Sequence, residues 1–304
     1  MEKIFLSGGT GMLGNSIIKI FPKKKYKLFF PERGKLDLTD PIKVFKYLKK
    51  NKITSVIHAA GKVGGIQDNI NFPHSYLYEN IIINLGVIEG SRKAKIKKFI
   101  FIGSSCMYPK NINKSISEDD MLKSPLEETN EGYALSKIIG HKLCEYSNKQ
   151  FNTNFKTVVS TNLFGENDKF NGNKAHLVSA IMKKAYSAKK YGKKVIEIWG
   201  DGKAKRDFVH VDDLSNFILY AIRNYNKLPS LINFGTGKDI TINQYYKKIF
   251  KTLKIKVKFI NNLDKPSGMK RKLLSVKKLK KLNYKSKFEF EDRIIQTFKN
   301  EFSN

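Results

Sequence analysis

The 304-residue chain is 40% apolar and carries 58 Lys and Arg against 27 Asp and Glu, a formal net charge of +31. That length and apolar content exclude a disordered chain and suffice for one large or two modest domains. The charge raises nucleic acid or an anionic membrane as partners, but only six basic residues are Arg and the lysines are scattered, as at Lys23–Lys25, Lys97–Lys98 and Lys183–Lys184. Readers of nucleic acid favour Arg at base edges and open aromatic platforms, so no nucleic-acid partner is expected. No apolar run approaches the ~18 residues of a membrane span, and the opening MEKIFLSGGTG has no signal core, so a cytoplasmic protein without membrane contact is expected. Two cysteines, Cys106 and Cys144, offer no metal-ligand spacing and fit a reducing compartment.

In chain order, KIFLSG (3–8) reads as a strand, followed by a helix that opens after glycines. KLFF (27–30) is a second strand, PIKVFKYLKK (41–50) an amphipathic helix, and SVIHAAG (55–61) a third strand. YENIIINLGVIEGSRKA reads as a helix, KKFIFIGSS (97–105) as a strand, YALSKIIGHKLCEYSNKQF as a helix, and FKTVVSTNLFG (155–165) as one further strand. Strands alternating with helices of this length predict an α/β fold with a doubly wound parallel sheet of Rossmann type. Beyond residue 165 the alternation becomes irregular, with helices near 176–190, 212–224 and 241–253. A dinucleotide-binding domain over 1–165, with a later return near 207–236, and a smaller mixed α/β substrate domain over 166–304 are expected. Ligands of such sheets lie at the carboxyl ends of the strands.

GGTGMLG places Gly8, Gly11 and Gly14 directly after the first strand, where glycines let a pyrophosphate approach a helix N-terminus. The end of the second strand, FFPERGKLDL, offers Arg33 and Lys35 to a 2′-phosphate and Asp37 to an adenine amine, which favours NADP over NAD, with Glu32 pointing the other way. YALSK sets Tyr133 and Lys137 one helical turn apart on one face. A phenol of ordinary pKa ~10 is a poor acid-base catalyst at neutrality, and a neighbouring ammonium, with the charge of an oxidised nicotinamide, stabilises the phenolate and lowers that value. Ser104, at the end of the 97–105 strand, then supplies a hydrogen bond to a substrate carbonyl. Cys106 reads either as a small packing residue or as a group that moves protons on a substrate.

These residues together resemble the extended short-chain dehydrogenase/reductase family and, within it, the GDP-L-fucose synthase branch. The resemblance runs through AGKVGGI (60–66), GSSCMYPK (103–110), LEETNEGYALSK (126–137), TNLFGENDKF (161–170), WGDGKAKRDFVHVDDL (199–214), INFGTG (232–237) and KPSGMKRKLL (265–274). It implies an NADPH-dependent 3,5-epimerase and 4-reductase of a GDP-linked 4-keto-6-deoxy-hexose that works as a homodimer. The implied catalytic set is Ser104, Tyr133 and Lys137 for reduction, with Cys106 as base and His176 as acid for epimerisation. Implied NADP(H) contacts are Gly8, Gly11, Met12, Leu13, Gly14, Arg33, Asp37, Leu38, Ala60, Ser104, Ser105, Tyr133, Lys137, Asn162, Leu163 and His176. Implied substrate contacts are Lys184, Trp199, Arg206, Ser267 and Lys272, and no metal is implied.

Three positions depart from the branch: Lys184 stands for arginine, Ser267 for aspartate, and Gly132 for the proline before the catalytic Tyr. The first two put the sugar in question. A related enzyme that only reduces, for instance a GDP-4-keto-heptose, is therefore the alternative. A non-catalytic NADP-sensing or RNA-binding protein is the remote one. His58, His74 and His141 read as structural. His210 opens HVDD, where Asp212 or Asp213 reads as a helix cap; a His-Asp-Asp metal set lacks further ligands.

Overall fold

A computed structural model describes residues 1–110, 112, 114–170, 175–265, 269–284 and 289–302. The first half runs β1 (Glu2–Ser7), α1 (Met12–Ile20), β2 (Tyr26–Phe29), α2 (Pro41–Lys50), β3 (Ser55–His58), α3 (Ile66–Asn71), α4 (Pro73–Lys93), β4 (Lys98–Ser104), α5 (Glu131–Phe151) and β5 (Phe155–Ser160). The second half runs β6 (Asn162–Phe164), α6 (Leu177–Tyr191), β7 (Val195–Trp199), β8 (Lys205–Arg206), β9 (Phe208–His210), α7 (Val211–Arg223) and β10 (Leu231–Phe234). It closes with β11 (Ile240–Thr241), α8 (Ile242–Thr252), β12 (Lys258–Asn262), β13 (Arg271–Lys272), α9 (Lys277–Lys281) and α10 (Phe290–Phe302).

Six strands form one parallel sheet in the order β10-β5-β4-β3-β1-β2. Both faces are covered, and the strand period of two sorts the side chains between them. Ile4, Leu6, Ile57, Ile100, Ile102 and Val158 join one core with Ile17 of α1 and Phe217 and Ile222 of α7. Phe5, Val56, Phe99, Phe101 and Phe155 join the other with Val44 of α2, Val87 of α4 and Cys144 of α5. Burying an apolar side chain of this size contributes roughly 1.5–3 kcal/mol, so these two layers fix the strand register. Cys144 is the packing cysteine: it is buried, and burial pushes its thiol up.

The order of strands reverses between β1 and β3, which opens a crevice at their carboxyl ends. There the Ala60 N–H donates to Ser7 Oγ at 3.3 Å, and Ser7 Oγ meets His58 Nδ1 at 2.7 Å. The His58 ring meets Asn84 Oδ1 of α4 at 3.0 Å, and Asn84 Nδ2 donates to the Ser136 carbonyl of α5 at 2.9 Å. Burial depresses His58 to about 3, with the Lys137 charge adding to it, so the ring is a neutral strut.

The 155–165 segment corrects the sequence expectation. It is two strands, because the chain leaves the sheet after Ser160, and β6 pairs in parallel with β9 instead. No Gly or Pro marks the break: Ser160, Thr161 and Asn162 run straight into Leu163 and Phe164. A second apolar core gathers Phe164, Val178, Ile181, Met182, Ile198, Phe208, Tyr246 and Ile294, beneath α6, α8 and α10. Small sheets serve this region: β7 with β12, and β8 between β11 and β13. The cap of α7 is His210 rather than an aspartate, its Nδ1 accepting the Asp212 N–H at 3.1 Å. No helix among the described residues is long and apolar enough to cross a membrane.

Candidate active site

The glycine turn between β1 and α1 is shaped for close approach. The Gly11 N–H donates to the Gly8 carbonyl at 3.1 Å, and a Cβ on Gly14 would lie 2.1 Å from that same oxygen. Gly11 caps α1 with no side-chain hydrogen bond, and the first turn holds no acidic residue. The positive end of α1 is thus offered, unopposed, at the mouth of the crevice, with Met12 and Leu13 in its first turn. This cradle fits a dinucleotide pyrophosphate.

After β2, Arg33 and Lys35 are exposed, and Arg33 makes no ion pair among the described residues. Asp37 is engaged locally: it accepts from Thr39 N (3.0 Å) and Thr39 Oγ1 (2.6 Å), which holds its carboxyl below the usual range. Leu38 is half-buried beside it, and Ala60 is buried across the crevice.

The carboxyl end of β4 delivers the reacting groups. Ser104 caps a 3-10 turn, Ser105–Met107, accepting the Cys106 N–H at 3.3 Å, while Ser105 is buried beneath. α5 brings Tyr133 and Lys137 to the same place. Burial pushes the Tyr133 phenol well up and Cys106 adds to the rise, with a Ser104 hydrogen bond acting against both. Lys137 donates to the Ile102 carbonyl at 3.0 Å and lies 5.9 Å from the Tyr133 ring centre; burial lowers it to about 8. Among the protein's own groups burial dominates and holds the phenol up, so Tyr133 is protonated before the cofactor's charge joins that of Lys137.

Cys106 is half-buried and has built surroundings. Asn130 Nδ2 donates to its Sγ at 3.3 Å, and Lys272 Nζ approaches it at 3.8 Å. Lys272 pairs with Arg206 across β13 and β8, so the strand register sets two cations side by side. Burial lowers Arg206, while Glu127 and Cys106 support its charge. His176 starts α6, and its Nδ1 lies 2.9 Å from Asp168 Oδ1. No hydrogen bond joins His176 to Cys106 among the described residues.

The remaining positions are more dispersed. Asn162 donates to the Asp207 carbonyl at 3.1 Å, and Leu163 packs on the α1–α7 core. Lys184 donates to the Glu197 carbonyl at 2.6 Å and to Tyr246 Oη at 3.2 Å, which uses two of its three protons on the protein. Trp199 is 52% exposed on β7, with Lys265 5.7 Å from its ring centre. Ser267 lies outside the described residues.

Sequence reasoning missed Asn130 and Asp168. Both stand in motifs already singled out, yet neither has a spacing that marks it as a partner. It also missed Glu166 beside His210, with Glu166 Oε2 at 3.1 Å from Nε2 and Asp212 nearby. That corrects the statement that no further ligand accompanies this pair. Arg293 and Lys19 lie 3.6 and 3.3 Å from Asp212, however, and Gln296 bridges Glu166 and Asp212. These groups already compensate the carboxylates, and the cluster braces α1, α7 and α10.

A glycine cradle at the switch point of a doubly wound sheet, with Ser104, Tyr133 and Lys137 at the next strand ends, defines an oxidoreductase of the short-chain dehydrogenase/reductase type. The chain belongs to the NAD-dependent epimerase/dehydratase family, which it matches over residues 4–235. It is 42% identical to a GDP-L-colitose synthase of Yersinia pseudotuberculosis, covering 99% of each chain. It is 37% identical to a GDP-L-fucose synthase of Sinorhizobium fredii, covering 100% of this chain and 96% of that one. Among solved structures, a GDP-mannoheptose C4 reductase from Campylobacter jejuni with NADP bound superposes with a TM-score of 0.87 at 28% identity, covering 98% and 97% of the two chains.

Proposed function

We propose that this protein inverts carbons 3 and 5 of a GDP-linked 4-keto-6-deoxy-hexose and then reduces its ketone with NADPH. The coarser statement, an NADP(H)-dependent oxidoreductase acting on a GDP-linked 4-keto sugar, rests on relatives matched over nearly their whole length. The observation that carries the chemistry is geometric: α5 brings Tyr133 and Lys137 to the end of β4, the strand that carries Ser104, and Lys137 Nζ ties the two elements together through the Ile102 carbonyl at 3.0 Å.

A ketone at carbon 4 acidifies the hydrogens on carbons 3 and 5. Cys106 removes one such proton, the hydroxyls of Ser104 and Tyr133 stabilise the enolate oxygen, and His176 returns a proton to the opposite face. Reduction comes second, because the acidity vanishes with the ketone. NADPH supplies the hydride when bound. Tyr133 then gives its proton to the sugar oxygen, Ser104 orients that oxygen, and Lys137 holds Tyr133 in register through α5.

The glycine turn with Met12 and Leu13 seats the cofactor pyrophosphate, and Arg33 with Lys35 takes the 2′-phosphate. Residues 166–304 hold the nucleotide sugar, with Arg206 and Lys272 facing its diphosphate. Exposed Tyr78 and Leu85 on α4 and Ile139 and Tyr146 on α5 support a homodimer packed through these helices. A cytoplasmic location follows from the same reading.

A second reading, reduction of a GDP-4-keto-heptose with inversion lost, is favoured by the likeness to the C4 reductase. NADPH oxidation on both sugars in deuterated water, with NMR of the products, separates them. The first reading predicts turnover of the 6-deoxy-hexose with deuterium at carbons 3 and 5; turnover of the heptose alone, without label, selects the second. Absence of turnover on any GDP-4-keto sugar overturns both.

A further inference from the structure

Asp168 is built into the protein around one task. Its side chain is 4% exposed, and its carboxylate takes three donors: His176 Nδ1–H at 2.9 Å, Ser179 Oγ–H at 2.5 Å and the Lys169 N–H at 2.8 Å. The carboxylate accepts only, so the imidazole proton on that side sits on Nδ1. His176 Nε2 has no hydrogen bond among the described residues, and the side chain is 35% exposed. The ring also begins α6, whose positive end disfavours a charged imidazole. Something must offset that.

We propose that Asp168 is the positioning residue of the epimerisation acid: it fixes the His176 ring through Nδ1–H and keeps it an imidazolium whose Nε2–H is the proton delivered to the sugar. Among the described residues, the charged groups facing the ring are Asp168 and Lys169. Burial and Lys169 act against the imidazolium, and the hydrogen bond and charge of Asp168 overcome them, raising His176 above its usual value. Ser179 ties the second carboxylate oxygen to the first turn of α6, so carboxylate and ring turn as one unit. In the step itself the Nε2–H bond breaks, a C–H bond forms at carbon 3 or 5 from the enolate electron pair, and the carbon 4 ketone returns. The imidazole is left neutral with its Nδ1 proton still on Asp168. The inference rests on the acid role of His176 proposed above.

The test is Asp168→Asn, with Ser179→Ala and His176→Asn in parallel, read by NMR titration of the His176 ring and by the rate of inversion at carbons 3 and 5. Asp168→Asn is expected to lower the His176 pKa by one unit or more and to slow inversion tenfold or more at pH 8. Inversion recovers toward the parent rate at pH 6, where the ring regains its proton; a lesion in folding is not repaired in this way. Ser179→Ala shifts both readouts in the same direction by less, and carries the test if Asp168→Asn does not fold. An unchanged His176 titration in a folded variant overturns the role of Asp168 while His176→Asn still abolishes inversion. Inversion undiminished in His176→Asn overturns the acid role itself and the inference with it.

Discussion

Lys137 directs its ammonium to the carbonyl of Ile102, 3.0 Å away, and not to the hydroxyl of Tyr133 on the same helix face. One residue thereby ties the catalytic helix to β4, the strand that carries Ser104. The cation that a nearby phenolate would need is held in a site where burial lowers it to about 8. Below that pH the ammonium is present; above it the amine is neutral and no longer supports the charge Tyr133 acquires on giving up its proton. A fall in kcat/KM for reduction centred near pH 8 is the expected outcome, and Lys137→Arg removes that limb because guanidinium stays charged. A flat profile from pH 7 to 9 in the parent enzyme contradicts this role.

Gly14→Ala puts a methyl group 2.1 Å from the Gly8 carbonyl, against backbone that cannot move without opening the turn. The expected result is at least a tenfold loss in NADPH affinity by fluorescence titration and a lower Tm. Parent-like affinity would mean that the turn is not the cofactor cradle.

Cys106→Ser keeps the volume at the end of β4 but replaces the thiol that Asn130 and Lys272 approach. A serine hydroxyl does not ionise near neutrality as a thiol does, so it offers no anion to take up the proton. Solvent deuterium entering carbons 3 and 5 should fall about 10²–10⁴-fold, the usual worth of a positioned proton carrier, while an already inverted keto sugar is still reduced. Undiminished exchange removes Cys106 from the mechanism.

Stability should fall in mild acid. Burial lowers His58 to about 3 and His141 to about 4, so the folded state resists their protonation. Their contribution is complete above the unfolded value of ~6.5 and is lost as pH falls toward the folded values, at about 1.4 kcal/mol per pH unit for each group. His176, raised by Asp168, acts in the opposite sense. Urea unfolding at pH 6.5 and 5 measures the slope, and His58→Asn should remove roughly half of it. Equal stability at the two pH values contradicts the buried-strut assignment.

The sheet was legible because both its faces are covered: Ile4, Phe5 and Leu6 are all buried, so each strand is a continuous apolar run bounded by turn residues. The departure at Ser160 was not, since no Gly or Pro separates the two strands and Asn162–Phe164 changes its partner to Phe208–His210 without either to show it. Two-residue strands such as β8 and β13 are too short for any period to show, yet they set Arg206 beside Lys272. Cys106 and Lys272 stand 166 positions apart, a contact that only the closed fold creates. Asp168 resembles any loop acid until the chain folds it onto His176. The branch's proline before Tyr133 is absent here for a visible reason: a Cβ at Gly132 would lie 2.8 Å from the Pro73 carbonyl, where α4 begins close against α5.

The most direct measurement is NADPH oxidation by Tyr133→Phe on a GDP-4-keto-6-deoxy-hexose, beside the parent enzyme. Loss of the phenolic proton should cut turnover by about 10²–10⁴-fold with NADPH affinity unchanged. Turnover within a few-fold of the parent would contradict the assignment of Tyr133 as the proton donor and the reductase mechanism built on it.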